Sequence, residues 1–414
     1  MQGNGDLFHF EIESEMRNDK VAMVTTILPV THYSRYLAKA FQSKLGEKVT
    51  MFVYTDRRKE NEKVPLDNVK LVWTPNLMYP FQIVRQVIAD KLDLVHLQHE
   101  FNMYGGPITA VLFPLLVLLL KLTRKRVVVT IHAVVSSREI DLSFLEVFSW
   151  PKKTIVLILA KWALGYIYTA TCWFSNMVIV HSRYMKSILV SDYKANEGKI
   201  RVLPHGVPER VVSKTEEINA AWVNKTAAKR IILYFGYVVK RKGLEDLIEA
   251  FEQVSKKYQD YILVLAGGAL PNQKDYMEKL KKIVQQKGLS RQILFTSFVP
   301  EEELIKLLAR AEFVVLPSIY SISASGPLAQ AISLFKPVIA TDLGTFHEDL
   351  NDGIDGLLCP PRDVPSLTKA MIKLIENPTL LREIAEGIKR KAKERQWSNI
   401  ATRTFEIYLG ELKV

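Results

Sequence analysis

Three stretches of this chain hold residues whose type and spacing suit the handling of an anion. The run Ser323-Ala324-Ser325-Gly326-Pro327 follows a short apolar segment, Phe313–Leu316, that ends in Pro317. That segment reads as a buried parallel strand, and Pro327 suits the first position of a helix over Leu328–Phe335. Free N–H groups at such a helix start, fronted by hydroxyls and a glycine, make a cradle for a diphosphate. The alternative is that Ser323, Ser325 and Gly326 only cap the helix. The second stretch, Gly236 to Gly243, sets Lys240-Arg241-Lys242 between a strand, Ile231–Phe235, and a helix, Leu244–Tyr258. A basic run before a helix is usually a solvated face. Behind a strand and a glycine it can reach phosphate oxygens, Arg241 as a two-pronged fork and Lys242 as a point charge. The third is histidine. His99 follows the strand Leu94–Leu97 in Gln98-His99-Glu100, with Gly105 and Gly106 behind it, and His132 closes the strand Val127–Ile131. An imidazole there can hold a hydroxyl or relay a proton near neutral pH, or be hydrogen-bonded structure and no more.

These positions require strands that stop at a common edge. Short apolar runs alternate with helical segments along the whole chain, which specifies doubly wound parallel sheets. Strands are expected at Val21–Thr26, Lys48–Thr55, Val69–Trp73, Met177–His181 and Lys199–Leu203, and helices at Arg35–Leu45 and Pro80–Lys91. Pro29–Ser34 reads as the first loop and the polar stretch Glu209–Ala228 as a linker. Beyond it, Leu263–Ala266 ends in Gly267-Gly268, which admits close approach of a ligand, and Ile293–Thr296 runs into Phe298 and Val299. At 414 residues the chain exceeds what one core usually covers, so two domains are expected.

The order PS-x-Y, glycine before a helix, KPVIATD, G-x-x-x-E and DG-x-x-GLL within Ala311–Leu358 resembles the C-terminal half of retaining GT-B glycosyltransferases, the large family four of nucleotide-sugar enzymes. The likeness extends through Gly236–Gly243, Ala266–Gly268, Pro204–Pro208 and most of residues 20–410. It implies an α/β protein of two Rossmann-like doubly wound domains facing a central cleft that closes by a hinge. The expected limits are an acceptor-side domain over 1–209, a linker over 210–229, a nucleotide-sugar-binding domain over 230–390 and a helix over 391–414 that crosses back. The resemblance puts Lys242 at the family lysine that neutralises the diphosphate leaving group, with Gly236 giving backbone access. The family arginine position is Tyr237 here, so Lys240 or Arg241 stands in for it. Phe298 and Val299 fall at the nucleobase, and His132, with His99, beside the sugar-transfer centre on the acceptor side. Many members carry two glutamates in the serine stretch; here those positions hold Ile322 and Gln330, resembling a serine-rich subgroup without the pair. Glu348 matches a family glutamate.

The implied activity is retaining transfer of a hexose from a nucleotide-diphosphate sugar to a glycan or lipid-linked acceptor, with no metal or other cofactor. Ile322 and Gln330 motivate the alternative of a catalytically silent membrane-bound partner. An oxidoreductase reading is weak, because neither domain shows G-x-G-x-x-G after its first strand. The net charge of +12 calls for acidic partners, but no arginine-rich tract or zinc spacing argues for nucleic acid. Cys172 and Cys359 read as buried thiols of a reducing compartment, and the acidic first residues are no signal peptide. Two uncharged segments, Pro107–Leu120 and Trp162–Val180, have cationic flanks. They are too short or too polar for a span of about 20 apolar residues. They read either as buried helices or as a helix pair resting on an anionic membrane face, giving a peripheral protein on the cytoplasmic side.

Overall fold

The computed structural model describes residues 19–26, 32–57, 66–147, 150–209, 221–270 and 273–410. The chain opens with β1 (Asp19–Val24), α1 (His32–Leu45), β2 (Val49–Asp56), β3 (Val69–Trp73), α2 (Tyr79–Ala89) and β4 (Leu94–His99). There follow α3 (Pro107–Val111), α4 (Phe113–Leu122), β5 (Arg126–Ile131), α5 (Leu142–Val147), α6 (Thr154–Phe174), β6 (Met177–Val180), α7 (Arg183–Ser191) and β7 (Ile200–Val202). Next come α8 (Ala221–Thr226), β8 (Arg230–Phe235), α9 (Leu244–Lys257), β9 (Tyr261–Ala266), α10 (Lys274–Gln286), β10 (Ile293–Ser297), α11 (Glu301–Arg310) and β11 (Ala311–Leu316). The chain finishes with α12 (Gly326–Ser333), β12 (Val338–Thr341), α13 (Gly344–Asp349), β13 (Leu357–Cys359), α14 (Val364–Glu376), α15 (Pro378–Glu394) and α16 (Trp397–Leu409).

Every strand pairing is parallel. One sheet runs β3-β2-β1-β4-β5-β6-β7 and the other β10-β9-β8-β11-β12-β13. Parallel strands are covered on both faces, which is why β8, β9, β11 and β12 read as near-continuous apolar runs and are buried almost throughout. Their covering helices are amphipathic. In α9 the residues Leu244, Leu247, Ile248, Phe251 and Val254 face inward, while Glu245 and Asp246 open the helix and Lys256 and Lys257 close it, matching its dipole.

Strand order reverses between β1 and β4 in the first sheet and between β8 and β11 in the second. Chains leaving such neighbours diverge, and a crevice opens at the carboxyl ends. The loops at the second reversal are those after Phe235 and after Leu316.

The first compact unit comprises residues 1–138, 158–206 and 397–414, and the second 139–157 and 207–396. The last helix, α16, belongs to the first core: Phe41 stacks on Tyr408 at 5.5 Å, and Trp397, Ile400 and Ala401 pack with Leu37 and Ala38. Residues 139–157 group with the second unit, where the Tyr320 hydroxyl donates to Glu139 at 3.0 Å.

Several boundaries depart from the sequence reading. Helix α1 begins at His32 rather than Arg35, and 29–31 of the expected first loop lie outside the described residues. In the polar linker 210–220 are likewise outside, but Ala221–Thr226 is a helix whose buried Trp222 anchors it in the second core. Of the two uncharged segments, the first is core. Phe113, Leu116, Val117 and Leu120 are buried, so half of the expected membrane-resting pair is internal. The second begins eight residues earlier, at Thr154, because Lys161 sits on an exposed helix face and interrupts nothing. Cys172 and Cys359 are buried free thiols.

Candidate functional site

At the reversal point of the second sheet two loops far apart in sequence run against each other. The backbone N–H groups of Ile319 and Tyr320 both donate to the Arg241 carbonyl, at 3.0 and 3.4 Å. Gly243 has φ +64, and a Cβ there would lie 2.1 Å from the Pro317 carbonyl oxygen, so only glycine allows the approach. Gly236 has φ +131, and its missing Cβ would meet Pro327 at 3.4 Å. The basic loop after β8 and the serine loop after β11 therefore share one edge.

Lys242 ends a single 3-10 turn, Lys240–Lys242, inside this pairing. It is half-buried, and among the described residues neither a carboxylate nor a hydrogen-bond acceptor meets its ammonium. Loss of water, with Arg241 adding like charge, pushes its pKa down to about 7. A cation held in this way gains most from an arriving anion.

Helix α12 starts at Gly326, two residues before the expected start, because Ser325 takes the cap position and its Oγ accepts from Leu328 N at 3.2 Å. The capping role that competed with anion binding is thus real for Ser325. It leaves the Gly326 N–H and the Ser323 hydroxyl without partners among the described residues, while the Ser323 carbonyl accepts from Thr345 Oγ1 at 3.1 Å. A Cβ on Gly326 would meet nothing within 4 Å, so the fold does not require glycine there. Gln330 lies one turn on, half-buried, its side-chain amide without a partner among the described residues. Ile322 is buried.

Gly267 serves a different purpose from the one its sequence suggested. A Cβ there would lie 1.7 Å from the Gly236 carbonyl oxygen, and Gly236 N donates to Ala266 O at 3.0 Å. The close neighbour is the protein's own backbone rather than a ligand. Gly268 is roomier, its nearest atoms being those of Phe298 at 3.9 Å. Phe298 is exposed, whereas Val299 packs on the core.

In the first unit, three adjacent strands end in histidine: His99 on β4, His132 after β5 and His181 after β6. His132 is half-buried, with Nε2 2.8 Å from Gln98 Oε1 and Nδ1 3.0 Å from His181 Nε2. His181 Nδ1 lies 3.0 Å from the Leu203 carbonyl, so it carries the proton, and His181 Nε2 then accepts from His132 Nδ1. A neutral His132 can only accept at Nε2, which turns the Gln98 amide nitrogen toward it and the amide oxygen toward His96. His96 Nδ1 in turn meets the Tyr408 hydroxyl at 2.7 Å, closing the row onto α16. Burial drives these rings to the neutral form: His132 titrates well below the usual range, His181 at about 4 and His96 at about 3. Tyr33 lies edge-on to His132 at 4.7 Å and to Trp397 at 4.9 Å.

His99 does not join this row. Side chains alternate along a strand, so His96 and Gln98 share one face of β4 and His99 takes the other. Its ring, 1% exposed, sits 4.3 Å from Phe113 with both nitrogens unpaired, and burial lowers its pKa to about 3. The expectation that it touches an acceptor gives way to an apolar packing role. The sequence reading missed His96, Gln98 and His181; strands ending VTIH and VIVH side by side were the available signal. Among the described residues no three His, Cys, Asp or Glu side chains converge to hold a metal ion.

Two family models match the chain: Glycosyltransferase Family 4 over residues 30–210 and Glycosyl transferases group 1 over 216–395. An uncharacterised glycosyltransferase of Methanocaldococcus jannaschii is 25% identical over 244 residues, 56% of this chain and 60% of that one. The MMP alpha-(1->4)-mannosyltransferase of Mycolicibacterium hassiacum is 27% identical over 224 residues, 54% of this chain and 51% of that protein. The chain thus spans between half and two thirds of the length of these curated relatives. Anabaena HepE, solved with UDP, superposes with a TM-score of 0.70 at 16% identity, covering 95% of this chain and 100% of that one. Sucrose-phosphate synthase of Thermosynechococcus elongatus gives 0.70 at 18% identity, covering 94% and 98%. At these identities the likeness is one of fold.

Proposed function

Because this chain belongs to the group 1 glycosyl transferases, with the GT-B fold, we propose that it transfers a hexose, with retention, from a nucleotide-diphosphate sugar to a glycan or lipid-linked acceptor. The observation that carries the reading is Lys242, uncompensated among the described residues and with its pKa lowered to about 7. Its loop runs against the serine loop, whose helix start has a first N–H without a partner among those residues. A diphosphate supplies the missing negative charge. As the sugar–oxygen bond breaks, charge grows on the leaving phosphate, and the ammonium, the Gly326 N–H and the Ser323 hydroxyl meet it without reorganising. Arg241 adds positive potential to the same loop. Charge on the leaving group is met by the protein, and the reading uses no metal. Gln330 is placed to hydrogen-bond donor hydroxyls, and Gly268 and Phe298 border the nucleobase. In the first unit His132 has both ring nitrogens engaged by Gln98 and His181, so its part is to hold the strand ends in shape on the acceptor side rather than to bond the acceptor itself. HepE has been solved with UDP-glucose, which supports a nucleotide-sugar donor here.

A second reading, a catalytically silent partner, draws on the buried Ile322 where many relatives carry a carboxylate. Turnover of nucleotide sugars with acceptor present separates the two. A thermal-shift screen of nucleotides and nucleotide sugars comes first, since a true donor stabilises the folded protein. Lys242→Ala then abolishes both the shift and the transfer while leaving the fold intact. Transfer at the wild-type rate overturns the assignment.

A further inference from the structure

Helix α6 is built for two different surroundings. Its inner face, Ala160, Leu164, Ile167, Tyr168, Thr171 and Cys172, is buried in the first unit, and Tyr168 OH donates to the Ala133 carbonyl at 3.0 Å. A helix so committed to a sheet does not cross a bilayer, although its length and hydropathy would permit it. Its outer face carries Ile158, Leu159, Trp162, Tyr166 and Trp173, with Trp162 64% and Trp173 71% exposed. The Trp162 and Tyr166 rings stack at 5.7 Å and 8°, and a shallow groove of about 470 Å³ runs from Lys161 to Phe174 along this face. Monomeric proteins rarely leave so long an apolar strip in water.

The charge around the strip is mostly positive. Thr154–Phe174 contains no acid and one base, Lys161. At its C-terminal end Lys199 Nζ donates to the Trp173 and Ser175 carbonyls, at 3.0 and 3.1 Å. Lys121 is near enough to lower the Lys199 pKa, and exposed Leu122 and Arg124 follow it. Glu197, two residues before Lys199, is occupied by Lys186 at 3.2 Å.

We propose that the outer face of α6, with Leu122 and the lysines at its C-terminal end, docks on an anionic lipid bilayer. Indole and phenol rings sit at headgroup depth, aliphatic side chains reach the acyl boundary, and ammonium groups meet lipid phosphate. A second copy of the chain fits poorly, since an isologous contact would bring Lys161 and Lys121 against their own images without an acid on the helix to offset them. This inference does not depend on the donor chemistry: vesicle binding needs no nucleotide, and a nucleotide thermal shift needs no lipid.

The test is co-sedimentation of the full chain with vesicles of phosphatidylcholine alone and with phosphatidylglycerol added. Wild type binds the anionic vesicles about tenfold more tightly, and added salt removes the difference. Trp162→Ala/Trp173→Ala and, separately, Lys121→Glu/Lys161→Glu each lower binding about tenfold, with the thermal transition unchanged because all four side chains are exposed. Equal binding to both vesicles, or full binding by either variant, overturns the proposal. So does a dimer in sedimentation equilibrium that the tryptophan variant dissolves, which would make this face a self-interface.

Discussion

At the carboxyl edge of the second sheet a half-buried lysine has no counter-ion among the described residues. At the edge of the first, imidazoles are stripped of water and given to one another. Both arrangements lower pKa values through burial, yet their consequences differ. Lys242 is left with charge to offer at neutral pH and no partner among the described residues, so it is open to one from outside. His96, His132 and His181 are neutral and saturated, so they hold shape. The difference teaches that a depressed pKa marks a binding group only where the hydrogen-bonding inventory around it is incomplete.

The sharpest way to break this comparison is Lys242→Ala. Removing a preorganised cation from a leaving-group site costs about 10²–10³ in kcat, read by transfer of labelled sugar. The same lysine is a burden without ligand. Its folded pKa, about 7, lies below that of the unfolded chain. The cost is therefore fully present below pH 7, and stability recovers as pH rises toward that of free lysine. Lys242→Met should stabilise the ligand-free protein at pH 6 by about 1–2 kcal/mol, measured by chemical denaturation. Diphosphate affinity should fall as pH rises above 7, with proton uptake on binding detectable by calorimetry in two buffers.

Next in size is a glycine pair. Gly267→Ala forces a Cβ into the Gly236 carbonyl and should cost about 3 kcal/mol or more. Gly326→Ala meets open space, so the fold should stand while diphosphate affinity drops about tenfold as the methyl crowds the free N–H. Equal behaviour of the two variants would erase the distinction between a glycine kept for the fold and one kept for a ligand.

The histidines sharpen the other side. Four of them, His96, His99, His132 and His181, have folded pKa values below the unfolded value. As pH falls below about 6.5 the unfolded chain takes up protons first, and each histidine costs about 1.4 kcal/mol per pH unit until its folded pKa is reached. Amide hydrogen exchange should show the first unit losing protection on acidification before the second. His99→Phe should remove one share of that slope and raise stability at pH 7 by about 1 kcal/mol, because the ring already packs on Phe113 with unpaired nitrogens. Smallest is Gln330→Ala, with a few-fold rise in donor KM.

Much of this architecture was legible in the chain. Apolar runs of strand length punctuated by glycine or proline fixed the two parallel sheets, and the stretches after Phe235 and Leu316 proved to be neighbours at a reversal point. What escaped depended on contacts far apart in sequence. Trp222 draws a polar stretch into a core, Lys161 lies on an exposed face and so does not end the helix it interrupts in sequence, and Gly267 accommodates backbone rather than ligand. The histidine row needed the lateral order of β4, β5 and β6, which local pattern does not contain. His99 is the exception, since strand alternation alone would have placed it opposite Gln98.

The packing of α16 on α1, and the hydrogen bond between Tyr408 and His96, bear on how the polypeptide matures on the ribosome. The first sheet lacks its closing helix until synthesis has passed residue 409, whereas nearly all of the second unit can consolidate beforehand. The early-made half is therefore the later one to be completed, and damage near the carboxyl terminus should be felt at the histidines.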